Sequence, residues 1–157
     1  DKKFLFTNIG YNIRGSEIGA TIGLVQLKRL KKILSMRKKI GNYWKRFFSK
    51  NDIFSLQKQT DNSEHSWFGI PIYLKKQNPK LITKFRKILD KKNIETRPII
   101  CGNITVQPAM RKLNYRIYGK LKNSDFIMKN SFAIGCHQNI SNENLSYASK
   151  IINNFKT

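Results

Sequence analysis

Acidic residues are scarce: nine Asp and Glu stand against 31 Lys and Arg, leaving a formal charge of +22. Those nine are scattered singly, so the paired carboxylates of a glycoside-cleaving site are missing. Cysteine is scarcer still. Cys101 and Cys136 are too few and too isolated for a disulfide scaffold. Together with His65 and His137 they make up the soft-ligand inventory, and none has ligand-type spacing, so no metal site is expected. No long apolar run is present either. The run after Glu17 ends at Lys28, well short of the ~20 residues needed to cross a bilayer, and no signal peptide appears. The chain therefore reads as cytoplasmic, without a membrane role. A phosphate-cradling Walker loop, a dinucleotide glycine fingerprint and an internal repeat are all lacking.

What is present supports folding. Hydrophobic residues make up 39% and aromatics 11%, enough for one domain with a modest core. The positive excess attracts polyanions in general: nucleic acid, anionic membrane or phosphorylated small molecules. A lysine-rich composition on solvated faces accounts for it equally well. The basic stretch from Lys28 to Lys50 could bind nucleic acid, but its aromatics fall on an apolar stripe and read as core rather than stacking platforms. None of the common DNA or RNA recognition motifs is seen. A nucleic-acid-binding fragment stays as the alternative of a different class.

The organising stretch is Gly10 to Gln26, where a polar turn with Tyr11, Asn12 and Arg14 runs into a small-residue helix start. Ser16 can cap the first turn and Glu17 suits the positive end of the helix dipole. Gly15, Gly19, Ala20 and Gly23 share one stripe. Glycine within a helix costs about 1 kcal/mol against alanine, so close approach of a backbone or ligand is expected there. The helical pattern runs from about Ser16 to Phe48, with Gly41 as a point where it bends or divides. Residues 49–66 read as loop. Trp67 to Leu74 reads as a strand that Pro71 restricts to an edge or bulge. Pro79 to Lys91 is an amphipathic helix, 95–100 a strand, 101–121 irregular with a short helix near 108–113. A helix over 123–130, a strand over 131–135 and a helix over 143–155 follow. The predicted class is α+β: residues 1–50 form an interface turn and long helix, and 51–157 a small domain of helices layered on a sheet.

The remaining polar signal lies in loops: Tyr11, Asn12 and Arg14; Ser66 and Trp67; Arg97; Gly102, Asn103 and Gln107; Cys136, His137 and Gln138. Amides, an arginine and glycines at loop positions suit a binding edge. Cys136 and His137 are adjacent at a strand end, where successive side chains point to opposite faces. They do not make a nucleophile pair, and His137 reads as a polar loop contact near a site.

These stretches carry a resemblance. Gly10-Tyr-Asn-Ile-Arg14 followed by Ser16-Glu-Ile-Gly-Ala-Thr-Ile-Gly-Leu-Val-Gln-Leu27 resembles the dimer-interface turn and helix of the DegT/DnrJ/EryC1/StrS family, the sugar aminotransferases and dehydrases of pyridoxal-phosphate fold-type I. Ser66-Trp-Phe-Gly-Ile-Pro-Ile72, Arg97-Pro-Ile-Ile-Cys-Gly-Asn-Ile-Thr-Val-Gln-Pro108 and Tyr115 to Met128 resemble the C-terminal part of its CDP-4-dehydro-6-deoxyglucose 3-dehydrase branch. Gly135-Cys-His-Gln138 is closer to the GDP-sugar 3-dehydrases. The resemblance covers nearly the whole chain.

It implies a nucleotide-linked 4-keto-6-deoxyhexose as substrate, loss of its C3 hydroxyl on the way to dideoxysugars of cell-surface polysaccharide, and pyridoxal or pyridoxamine phosphate as cofactor. It also implies a homodimer. In the CDP branch a 2Fe–2S cluster and an iron–sulfur flavin reductase partner deliver electrons. By the same resemblance Asn12 reaches the cofactor phosphate of the neighbouring subunit and Arg14 lies near that shared site, while Arg97, Asn103 and His137 border the sugar-nucleotide pocket. The anchoring lysine, or the histidine that replaces it in dehydrases, would lie upstream of Asp1. So would the aspartate partner of the pyridine nitrogen and the cluster cysteines, which Cys101 and Cys136 do not match. Arg14 stands where the branch often has lysine. The chain, opening at Asp1 on what reads as mid-domain sequence, is expected to be a fragment without its large cofactor-binding domain, inactive by itself. A sugar aminotransferase is the alternative within the family.

Overall fold

The computed structural model describes residues 11, 13 and 15–155. The expected extended lead-in over 4–9, and Asn12 and Arg14, lie outside the described residues. The chain divides into two compact units, residues 1–33 and 34–157, each taken by itself below.

Helix α1 spans Glu17–Ser49 without interruption. Its start follows from local chemistry: the Gly19 N–H donates to the Ser16 hydroxyl oxygen at 3.1 Å, and Glu17 sits in the first turn. Within the first unit the large apolar residues Ile18, Ile22, Leu24, Val25, Leu27 and Leu30 are all exposed.

In the second unit α1 becomes a core element. Ile40, Gly41, Trp44 and Phe48 are buried, a stripe at helical spacing, with Tyr43 and Phe47 half-buried beside it. The helix is not divided at Gly41. A Cβ there would lie 2.3 Å from the indole of Trp67, so the missing side chain is what admits that ring.

Four antiparallel strands form one sheet in the order β1-β2-β4-β3: β1 Phe54–Leu56, β2 Gly69–Leu74, β3 Thr96–Arg97 and β4 Ser131–Gly135. β1 lies within the stretch expected to be loop. Its three residues are too short for a periodicity to register, yet Phe54 and Leu56 alternate inward opposite Leu74 and Ile72. β3 keeps only two residues of the strand expected over 95–100. β2 is an interior strand, which corrects the edge assignment drawn from Pro71. The register explains the tolerance: β1 ends opposite Ile72, so at Pro71 only β4 flanks the strand, through Ala133.

Ile70, Ile72, Phe132 and Ile134 line one face of the sheet and are buried. With Phe54, Phe85 and Phe155 they form the core, in which Phe54 and Phe85 stack at 4.6 Å and Phe85 meets Phe155 at 4.3 Å. Phe85 comes from α2, Pro79–Lys91, which buries Ile82, Phe85 and Leu89 and is capped by Asn78 accepting from the Leu81 N–H. α3, Lys122–Asn130, leads directly into β4. Its last residue is fully buried and satisfied: the Asn130 side chain accepts from the Asn78 N–H at 2.8 Å and donates to the Phe126 carbonyl at 3.1 Å. α4, Asn142–Asn153, is capped by Ser141 and buries Leu145, Ala148 and Ile152. The mixed helix-and-sheet class agrees with the sequence reading.

Candidate functional site

The second unit carries a cleft of about 950 Å³. Its walls take Pro71 and Ala133 from the small-residue face of the sheet, Ile94 and Ile100 from the segments beside β3, and Leu145 from α4. The opening is therefore largely apolar. Its charged residues are Lys92, Glu95 and Arg97.

Of the three described residues among the five singled out by sequence, Arg97 alone lines this cleft. It is exposed, and both its Nε and a terminal nitrogen donate to one Glu95 carboxylate oxygen, at 2.9 and 2.8 Å. An exposed pair of this kind is weakly held in water, so the guanidinium is available to a better anion.

Asn103 is placed differently. It is buried, its carbonyl oxygen accepts from the Thr105 N–H at 3.1 Å and hydroxyl at 2.7 Å, and its amide donates to Asp125 at 2.8 Å. Those bonds tie the 103–106 turn to α3. The same loop is held by Gly102, whose φ of +53° and approach to Met128, 2.4 Å from an added Cβ, leave room for no side chain. His137 is exposed past the end of β4 and accepts a bond from the Asn139 N–H at 3.3 Å. Asn12 and Arg14 lie outside the described residues.

Cys136 turns inward where His137 turns out. Burial pushes its thiol up to about 11, against the opposing pull of the Arg37 charge, so it is a neutral side chain at physiological pH. A thiolate nucleophile is not on offer there. Among the described residues no three His, Cys, Asp or Glu side chains gather as a metal set.

Two further residues at this cleft carry geometry that the sequence reading did not assign. His65 and Phe68 line it, with Trp67 between them. Trp67 is 2% exposed and holds φ +56°, a region costly for a bulky side chain. Its N–H donates to His65 Nδ1 at 2.8 Å, and the two rings stack at 4.3 Å with planes 17° apart. Phe68, next in sequence, is 81% exposed. Strict alternation from Ile70 puts Phe68 in the core, so only the tertiary clamp on Trp67 reveals it.

The DegT/DnrJ/EryC1/StrS aminotransferase family model matches residues 1–153. The lipopolysaccharide biosynthesis protein RfbH of Salmonella typhimurium is 34% identical over 148 residues, covering 94% of this chain and 34% of that protein. A GDP-4-keto-6-deoxy-D-mannose 3-dehydratase of Yersinia pseudotuberculosis is 34% identical over 139 residues, 88% of this chain and 35% of the relative. Among solved structures, the E. coli GDP-4-keto-6-deoxy-D-mannose-3-dehydratase with bound hydrated PLP superposes with a TM-score of 0.86 at 29% identity. It covers 94% of this chain and 38% of that one. The chain thus spans about a third of the length of the curated relatives it matches. Sequence and backbone agree from the α1 region through α4, and the chain belongs to the DegT/DnrJ/EryC1/StrS aminotransferase family.

Proposed function

We propose that this chain is the C-terminal segment of a pyridoxal- or pyridoxamine-phosphate-dependent nucleotide-sugar 3-dehydratase. The enzyme would remove the C3 hydroxyl of a nucleotide-linked 4-keto-6-deoxyhexose, in the cytoplasm, on the way to dideoxysugars of cell-surface polysaccharide. One observation carries this reading: the end-to-end agreement with a 3-dehydratase in both sequence and backbone. The aminotransferase alternative rests on the breadth of the family itself. An anchoring histidine upstream selects the dehydratase, and a lysine selects the aminotransferase.

In this reading Arg97 faces the anionic part of the substrate, since it already lines the cleft with only an exposed carboxylate as partner. Asn103 contributes through the turn it caps, because its side-chain bonds are internal. His137, which is not on the walls of the cleft, would border the sugar-nucleotide site from the loop after β4. Asn12 takes the cofactor phosphate across a homodimer interface, with Arg14 beside it. The described donor set suits an edge of the cofactor and not its ring: the cleft holds one carboxylate, Glu95, and it is already engaged by Arg97. When bound, the cofactor supplies an electron sink for breaking the C3–oxygen bond; this chain's own residues bind and orient the sugar nucleotide. A 2Fe–2S cluster with a flavin reductase partner belongs to the CDP-sugar version of the reading.

The test is to express the segment joined to its upstream coding sequence. Bound-cofactor absorbance and loss of the C3 hydroxyl from a CDP- or GDP-linked 4-keto-6-deoxyhexose are expected. If no cofactor-binding domain precedes Asp1, or the joined protein binds no cofactor, the reading fails.

A further inference from the structure

We propose that Phe68 is a stacking platform for an uncharged ring of the sugar nucleotide, held out in the cleft by the clamped, strained Trp67. This rests on the functional reading above and adds to it a residue and a contact.

A tryptophan at φ +56° persists only where its surroundings over-determine it, and here three residues do. Gly41 leaves the space that the indole fills, His65 stacks on one face, His65 Nδ1 accepts the Trp67 N–H, and the Lys45 ammonium sits 5.4 Å from the ring. The strain has a consequence for the next residue. Ile70, Ile72 and Leu74 all point into the core at alternate positions of β2, and Phe68 is next in that series. The Trp67 indole is buried in the position just before, and Phe68 is left 81% exposed on the wall of the cleft. Nothing in the packing of this unit uses that phenyl ring.

Its surroundings indicate what the ring serves. Phe68 immediately precedes Gly69, which pairs with Gly135 at the start of β2, and Arg97 lies level with Ala133, two strands away across the same sheet. Standard strand spacing and rise put the start of β2, beside Phe68, on the order of 12 Å from Arg97. With their side chains reaching into one cleft, an aromatic face and a guanidinium are separated by about the span of a nucleoside diphosphate or its sugar. An uncharged ring at one end and a diphosphate at the other match that pair. A purely apolar partner would leave Lys92 facing it without a counter-charge and would offer Arg97 nothing beyond its exposed Glu95 partner.

The ring could be the nucleobase or the hexose, and the experiment separates them. Binding of CDP, GDP, CDP-glucose and GDP-mannose to the 157-residue chain is measured by calorimetry, with inorganic pyrophosphate as the charge-only control. Stacking on an aromatic ring predicts that Phe68→Ala weakens the ring-bearing ligands by about five- to a hundred-fold. Pyrophosphate is unchanged, and Phe68→Trp restores binding. A loss already seen with CDP and GDP assigns the base; a loss confined to the sugar nucleotides assigns the hexose. Equal affinities for wild type and Phe68→Ala overturn the proposal, as does wild-type binding no tighter than pyrophosphate. In the longer polypeptide the two readings part. Turnover with an unchanged KM in Phe68→Ala removes the platform and keeps the function; absence of cofactor removes the function while the ring dependence of ligand binding stays measurable.

Discussion

Cys136 couples the stability of the fold to alkaline pH. It is 2% exposed, its Sγ lies 3.9 Å from the Arg37 carbonyl, and burial raises its pKa from 9.0 to about 11. The unfolded chain releases the thiol proton near pH 9, while the folded chain retains it until about pH 11. The unfolded state therefore binds fewer protons across that window, and stability falls as pH rises through it. Two pH units correspond to about 2–3 kcal/mol once both states are ionised. Denaturant unfolding at pH 7, 9 and 11 is expected to show this extra loss in wild type relative to Cys136→Ala, which lacks the thiol. Parallel pH curves for the two proteins would count against it. This coupling is invisible in the sequence, because a cysteine beside a histidine looks the same whether it faces core or solvent. Asn103 carries a related lesson: its type and loop position read as a binding edge, while its hydrogen bonds are spent on Thr105 and Asp125.

At the level of elements, α1 and β2 are joined through a glycine and an indole. An alanine at position 41 would gain up to about 1 kcal/mol of helix propensity. Its methyl would stand 2.3 Å from the Trp67 ring, and the ring cannot yield because His65 and the Trp67 backbone hold it. Overpacking of about 1–3 kcal/mol then wins. Gly41→Ala should lower the urea midpoint, while Gly23→Ala, with nothing within 4 Å of its added Cβ, should leave it unchanged or raise it. A Gly41→Ala protein as stable as wild type would show that the indole is not fixed. The same contrast marks what could be read in advance. α2 and β4 fall where their sequences place them, since Asn78-Pro79, the apolar stripe from Ile82 to Leu89 and the run 131–135 are local signals. β1 and the role of Gly41 depend on partners far along the chain, Leu74 and Ile72 for one and Trp67 for the other. The cleft is legible only in part for the same reason: Arg97 announces itself by charge, but Phe68 is exposed only because Trp67 is buried.

Charge governs how the whole molecule meets its surroundings. Among the described residues two ion pairs are present, Lys38 with Glu64 and Arg97 with Glu95, so most of the described basic side chains have no carboxylate beside them. A field of this sign draws in any polyanion, and weak DNA binding at low salt is expected without any dedicated site. The distinction from a nucleic-acid-binding protein lies in what salt does. At 10 mM salt the screening length is about 30 Å and the field acts collectively; at 150 mM it is about 8 Å and only local clusters act. On α1 the aromatics Trp44 and Phe48 are buried, and no stacking ladder accompanies the basic residues of that helix. Binding of a labelled duplex should therefore fade to a non-saturating signal by physiological salt. Saturable binding that persists there, with the logarithm of the affinity falling linearly against the logarithm of salt concentration, would make the positive surface a functional interface. The cleft would then be a secondary feature of a nucleic-acid-binding protein.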